Sequence, residues 1–193
     1  MEKLLKLIDK KVSLEDFNFD GFSTSKGWVG YFERLNGYSS EIVQESVSMF
    51  DDYFGKYNNF FIMTALSFDD KTESDPEILA EYNDAFLFFI KNGILKTMSD
   101  SFESYLYGDS SLPISSLDFS FNYDHFIMLS KLMMSHSGII GQVCFYINPE
   151  LNIAVYPHDD TGFGCIALNN DRESSISFLK YCRNNSNFKI VIE

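Results

Sequence analysis

The sequence predicts a single α+β domain over residues 1–193, with a mixed or antiparallel β-sheet flanked by helices and a central C-terminal hairpin. Three observations carry that reading. In QVCFYINPELNIAVYPHDDTGFGCIAL, residues 142 to 168, Val143, Phe145 and Ile147 alternate with Cys144 and Tyr146, and two polar turns break the run, as in successive strands with one buried face. Val43, Val47, Phe50 and Phe54 fall at i, i+4, i+7 and i+11, a helical stripe. A content of 45% hydrophobic and 17% aromatic residues over 193 positions supplies one core of moderate size without metals or disulfides.

In chain order, Met1 to Lys11 places Leu4, Leu5 and Ile8 at helical spacing and predicts a short amphipathic helix. Val12 to Lys26 holds no period and is rich in Gly, Ser and Thr, so it reads as loop. WVGYFERL, from Trp28 to Leu35, reads as a strand despite Gly30. Ser39 or Ser40 then caps the helix of the Val43 stripe, and Gly55 stops it. The apolar run Asn59 to Phe68 has strand length. Strand, helix and strand in this order suggest a crossover unit, and an antiparallel arrangement stays open beside it.

Asp69 to Asp75 is a polar break. Asp75-Pro76-Glu77 begins a helix that Leu79, Tyr82, Phe86, Phe89 and Ile90 carry to about Asn92, although 86 to 90 also suits a strand. Ile94 to Ser111 gives no readable period, and Gly108-Asp109-Ser110-Ser111 reads as an exposed loop. A strand is expected from Ile114 to Asn122 with Leu117, Phe119 and Phe121 on one face, then a helix capped by Asp124 that ends near Gly138. After the hairpin, Asp171 caps a helix bearing Ile176, Leu179 and Cys182, and Phe188 to Ile192 closes the chain as a strand.

The formal charge of −13, from 28 acidic and 15 basic side chains, opposes direct contact with nucleic-acid phosphates. It favours basic partners, whose encounter rate a focused field raises by a factor of roughly 10 to 1000. Cys144, Cys165 and Cys182 are odd in number and unpaired in spacing, so buried thiols in a reducing compartment are expected. The charged start MEKLLKLIDKK and the lack of a long apolar window predict a cytoplasmic protein without membrane contact.

His158-Asp159-Asp160 gathers an imidazole and two carboxylates, groups able to serve as a general base or to hold a metal. Consecutive side chains on an extended segment diverge, however, and Asp159 or Asp160 equally suits a role in shaping the turn or touching a partner. His125 and His136 lack ligand spacing to His158, and no nucleophile elbow, zinc helix or phosphate loop occurs. No catalytic residue, metal or cofactor is therefore predicted. A small hydrolase using His158-Asp159-Asp160 and a regulatory protein-binding module remain the alternatives. Tyr31, Phe32, Tyr53, Phe60, Phe61, Tyr105 and Tyr107 are expected mostly in the core, with a binding platform among them left open.

Leu112 to Leu168 resembles a family of small bacterial proteins of unassigned function in which a strand and a helix precede a Val-x-Phe-Ile-Asn hairpin and a Tyr-Asp-Asp-Arg-Gly turn. The matching residues are Val143, Phe145, Ile147 and Asn148, then His158, Asp159, Asp160, Thr161 and Gly162, with His158 in place of Tyr and Thr161 in place of Arg. The strand, helix and strand from Trp28 to Met63 is similar in order. Small acidic chains of this kind also resemble immunity proteins of contact-dependent growth inhibition, which neutralise a toxin domain. The resemblance implies that the partner is a cognate toxin domain, of the basic nuclease type, whose active site the chain covers across an interface of about 1,600 Å². Loop carboxylates are then the expected contacts: Asp69, Asp70 and Glu73 in the polar break, Asp109 in the exposed loop, and Asp159 and Asp160 in the hairpin turn.

Overall fold

A computed structural model describes residues 12–55, 60–68, 76–135 and 139–193. They form an α+β domain in which five helices pack on one mixed eight-stranded sheet. The strands are β1 (Trp28–Arg34), β2 (Phe61–Phe68), β3 (Leu95–Thr97), β4 (Asp118–Ser120), β5 (Ile139–Asn148), β6 (Ile153–His158), β7 (Gly162–Ala167) and β8 (Phe188–Ile192). The helices are α1 (Ser40–Phe54), α2 (Pro76–Lys91), α3 (Asp100–Leu106), α4 (Tyr123–Ser135) and α5 (Glu173–Cys182). The sheet runs β3-β2-β5-β6-β7-β1-β8, and β4 also pairs with β2.

Among the described residues only β2 and β3 are parallel neighbours. The run β5-β6-β7 is the expected hairpin pair, its first turn built on Asn148, whose Oδ1 accepts the Glu150 and Leu151 N–H groups. Four successive antiparallel pairings make β1 parallel to β2, so α1 is a crossover, but β5, β6 and β7 lie between the two strands. β1, β2, β3 and β6 therefore end on one side of the sheet, the side where β7 and β8 begin.

Each face of the sheet has its own core. Val43, Val47, Phe50 and Phe54 of α1 pack with α4, α5 and Phe89 of α2 over one face. Burying each such side chain stabilises the fold by roughly 1.5–3 kcal/mol. Ser39 Oγ caps α1 by accepting the Ile42 N–H at 3.3 Å, and the Gly55 N–H closes it on the Asp51 carbonyl. The opposite face packs Val143, Phe145 and Ile147 beneath Phe102 and Tyr105 of α3 and beneath the segment around Phe17. Phe17 and Phe22 approach the Phe145 ring edge-on at 4.8 and 4.9 Å, so the predicted loop is a covering layer with two 3-10 turns.

Several expectations need correction. The unreadable stretch from Ile94 contains β3 and α3, the latter capped by Ser99 Oγ. Ile114 to Asn122 is a strand only over Asp118–Ser120, after a 3-10 turn at Ile114–Ser116, and Phe121 is 61% exposed. Residues 86 to 90 are helical, as expected of the helix that begins at Pro76, and only the strand alternative falls. Asn122, not Asp124, caps α4: its Oδ1 accepts the Asp124 and His125 N–H groups at 3.0 and 3.4 Å. The N-cap position of α5 is Arg172, not Asp171, which stands one residue earlier with its Oδ1 accepting the Glu173 N–H at 3.2 Å. The helix expected over Met1 to Lys11, the cap Asp75, and His136 and Gly138 lie outside the described residues. Among the described residues no helix is long and apolar enough to cross a membrane.

Candidate functional site

The site is built on the turn between β6 and β7. His158 pairs with Gly162, which leaves Asp159, Asp160 and Thr161 as a three-residue hairpin loop closed by the Thr161 N–H on the His158 carbonyl at 3.2 Å. The third position of such a loop takes the left-handed conformation. Thr161 occupies it at φ 56°, costly for a β-branched side chain, and is fully buried.

Arg34, at the end of β1, holds this turn from the side. Its Nη1 donates to Thr161 Oγ1 and to the Asp159 carbonyl, both at 3.0 Å, and its backbone N–H donates to the Asp160 carbonyl at 3.1 Å. A cation thus reaches the turn from the neighbouring strand although none stands at position 161. The bonds use backbone oxygens and the Thr161 hydroxyl, so both carboxylates stay pointed at solvent, where Asp159 and Asp160 are exposed.

His158 Nε2 lies 3.0 Å from the Phe32 carbonyl oxygen. That oxygen only accepts, so the proton sits on Nε2 and Nδ1 carries the lone pair. Burial lowers the imidazole pKa, outweighing the Phe32 carbonyl and the carboxylates of Asp160, Asp159 and Glu33, which all favour the charged form. One ligand atom from each of His158, Asp159 and Asp160 lies within 4.8 Å of the others. The three form a set of acceptors suited to a guanidinium, an ammonium or a divalent cation.

The turn adjoins an aromatic surface. Tyr31 packs 5.8 Å from the His158 ring, edge to face, and 6.1 Å from Trp28. Trp28 Nε1 donates to Tyr156 Oη at 3.1 Å, and burial pushes the Tyr156 phenol up to about 12. Gly164 of β7 pairs with Tyr31 on one side and Tyr156 on the other. A Cβ there would stand 2.2 Å from Tyr156 Cζ, so the glycine gives the ring its place.

Of the expected contacts that lie among the described residues, the structure brings together Asp159 and Asp160. Asp109 is exposed in the turn after α3, where its N–H donates to the Ser104 carbonyl. Asp69, Asp70 and Glu73 lie outside the described residues. Exposed carboxylates also occur at the opposite end of the sheet, among them Asp51, Asp52 and Asp124. Of the suggested platform residues, Phe32, Phe60, Phe61 and Tyr105 are buried, Tyr31 and Tyr53 are half-buried, and Tyr107 is 77% exposed. All three cysteines are buried free thiols whose pKa burial raises, which removes them as nucleophiles at rest. Sequence reading missed Arg34, Glu33, Trp28 and Tyr156 as neighbours of the turn; the available signal was Gly-x-Gly in a strand, which marks close approach by other groups. No family model, no curated protein and no solved structure matches this chain.

Proposed function

We propose that the chain is a protein inhibitor of the immunity type, which binds a basic toxin domain and covers its active site. One observation carries this reading: a chain of net charge −13 displays Asp159 and Asp160, exposed and adjacent, on a turn that Arg34 fixes at three points. A fixed acidic pair recognises a cation with little ordering cost, whereas a mobile pair loses affinity to entropy. The partner class follows from charge, since a nuclease is basic where it holds its substrate and an acidic surface competes for that field.

The reading is tested by co-expression. The variable C-terminal domain of a large secreted protein encoded beside this gene should arrest growth alone and not with this chain, and the purified pair should associate at a rate that falls steeply with salt. Growth arrest that persists in the presence of the folded chain overturns the proposal. So does turnover of a substrate that Asp159→Asn abolishes, which would make the turn a catalytic site.

A further inference from the structure

We infer that the half-buried face formed by Trp28, Tyr31 and His158, rimmed by Glu33, Asp159 and Asp160, is the seat of an arginine side chain of the protein partner. This rests on the inhibitor reading and names its point of contact. Tyr31 belongs to neither core, although it sits in the middle of a strand. On its face β7 contributes Gly162 and Gly164, which have no side chains, and the Tyr156 and His158 rings of β6 lie against them: a Cβ on Gly162 would be 3.1 Å from His158 Nε2. The result is a platform of rings on a sheet face, with acid at one end.

The chemistry selects the occupant. A guanidinium stacks flat on Tyr or Trp and forks its N–H groups onto carboxylates, which an ammonium does less well. Besides Arg34, whose guanidinium is bound to the turn itself, the chain holds an exposed cation at this rim: Lys189 Nζ lies 3.0 Å from Glu33 Oε1 with its side chain 55% exposed, so an incoming arginine meets a displaceable competitor. The charge of −13 supplies complementarity to a basic protein and rejects a nucleic-acid base, the other common occupant of an aromatic platform.

Trp28 is the only tryptophan, so its indole reports on this face alone. The full chain, labelled with nitrogen-15, is titrated with a blocked tri-arginine peptide at physiological salt, with tri-lysine and tri-glutamine as controls. A saturable shift of the Trp28 indole N–H signal is expected with tri-arginine, weaker with tri-lysine and absent with tri-glutamine. Tyr31→Leu should weaken binding about fivefold, and the double variant Asp159→Asn, Asp160→Asn about tenfold, from the usual strengths of cation–π and charge-assisted contacts. Both variants keep the turn's backbone bonds, and a cooperative thermal transition verifies that they fold. A non-saturating shift, or an affinity in both variants unchanged from that of the unmutated chain, overturns the inference. Saturable binding of tri-arginine by a chain that rescues no toxin leaves the seat and removes the inhibitor; rescue undiminished in a variant that combines Tyr31→Leu, Asp159→Asn and Asp160→Asn keeps the inhibitor and removes the seat.

Discussion

Thr161 is held against its own preference. A β-branched residue at φ 56° costs on the order of 1–3 kcal/mol, and the compensation is the bond from Arg34 Nη1 to its buried hydroxyl. Thr161→Val keeps the strain and loses the bond, so it should destabilise by about 1–2 kcal/mol in urea unfolding, while Thr161→Gly, which loses both, should fall near zero. The acidic pair beside it was legible in the sequence because turn composition is local. Arg34 was not, since it arrives from 125 residues earlier and only strand pairing brings it there. His158 adds a pH dependence. Its folded pKa lies below the ordinary 6.5, so the unfolded chain takes the proton first; the stability gained by keeping the ring neutral is complete above about 6.5 and declines as pH falls toward the folded value. The urea midpoint should therefore drop between pH 7.5 and 5.5, and His158→Gln, whose amide can still donate to Phe32, should show less of that drop.

Among elements, β7 and β1 depend on glycine for different reasons. A Cβ on Gly162 would stand 1.8 Å from the Phe32 carbonyl oxygen, a backbone atom that can only yield if β1 and β7 separate. Gly162→Ala is expected to destabilise by about 3 kcal/mol or to prevent folding, read as a lower unfolding midpoint or loss of soluble protein. Gly30, at φ 149°, sits at a bulge where two residues of β1 oppose one of β7, and this puts both Val29 and Phe32 into the same core. Simple alternation therefore suffices for β5 from Val143 to Ile147, and it finds β1 as a strand without showing which of its residues share a face. The segment from Ile114 failed for another reason. β3 pairs with Leu66 to Phe68 and β4 with Ile62 to Thr64, so two strands share one edge of β2 and each is limited to three residues. Leu117 and Phe119 pack on the second core without a long strand to display their period. α3 stayed unread because its seven residues bury only Phe102 and Tyr105, too short a stripe to register.

At the scale of the molecule, sheet order was the least accessible property, because β1 and β2 are separated in space by three strands that come later in the chain. Charge was fully accessible, and it makes two forecasts of opposite sign. The described residues contain two ion pairs, Lys96 with Asp118 and Lys189 with Glu33, all four side chains partly exposed, so local pairing offsets little of the −13. The remaining carboxylates repel one another over a Debye length of roughly 30 Å at 0.01 M salt and only about 8 Å at 0.15 M. Raising salt across that interval should stabilise the folded chain, by about 2–4 °C in Tm for each kcal/mol of repulsion relieved. The same addition should slow association with a basic partner, because the field that destabilises the monomer is the field that steers the encounter. Thermal melting and stopped-flow association measured over one salt series must move in opposite directions. A Tm that falls with salt would mean that attraction between exposed charges outweighs their repulsion, and the negative field assigned to partner capture would then be spent within the chain itself.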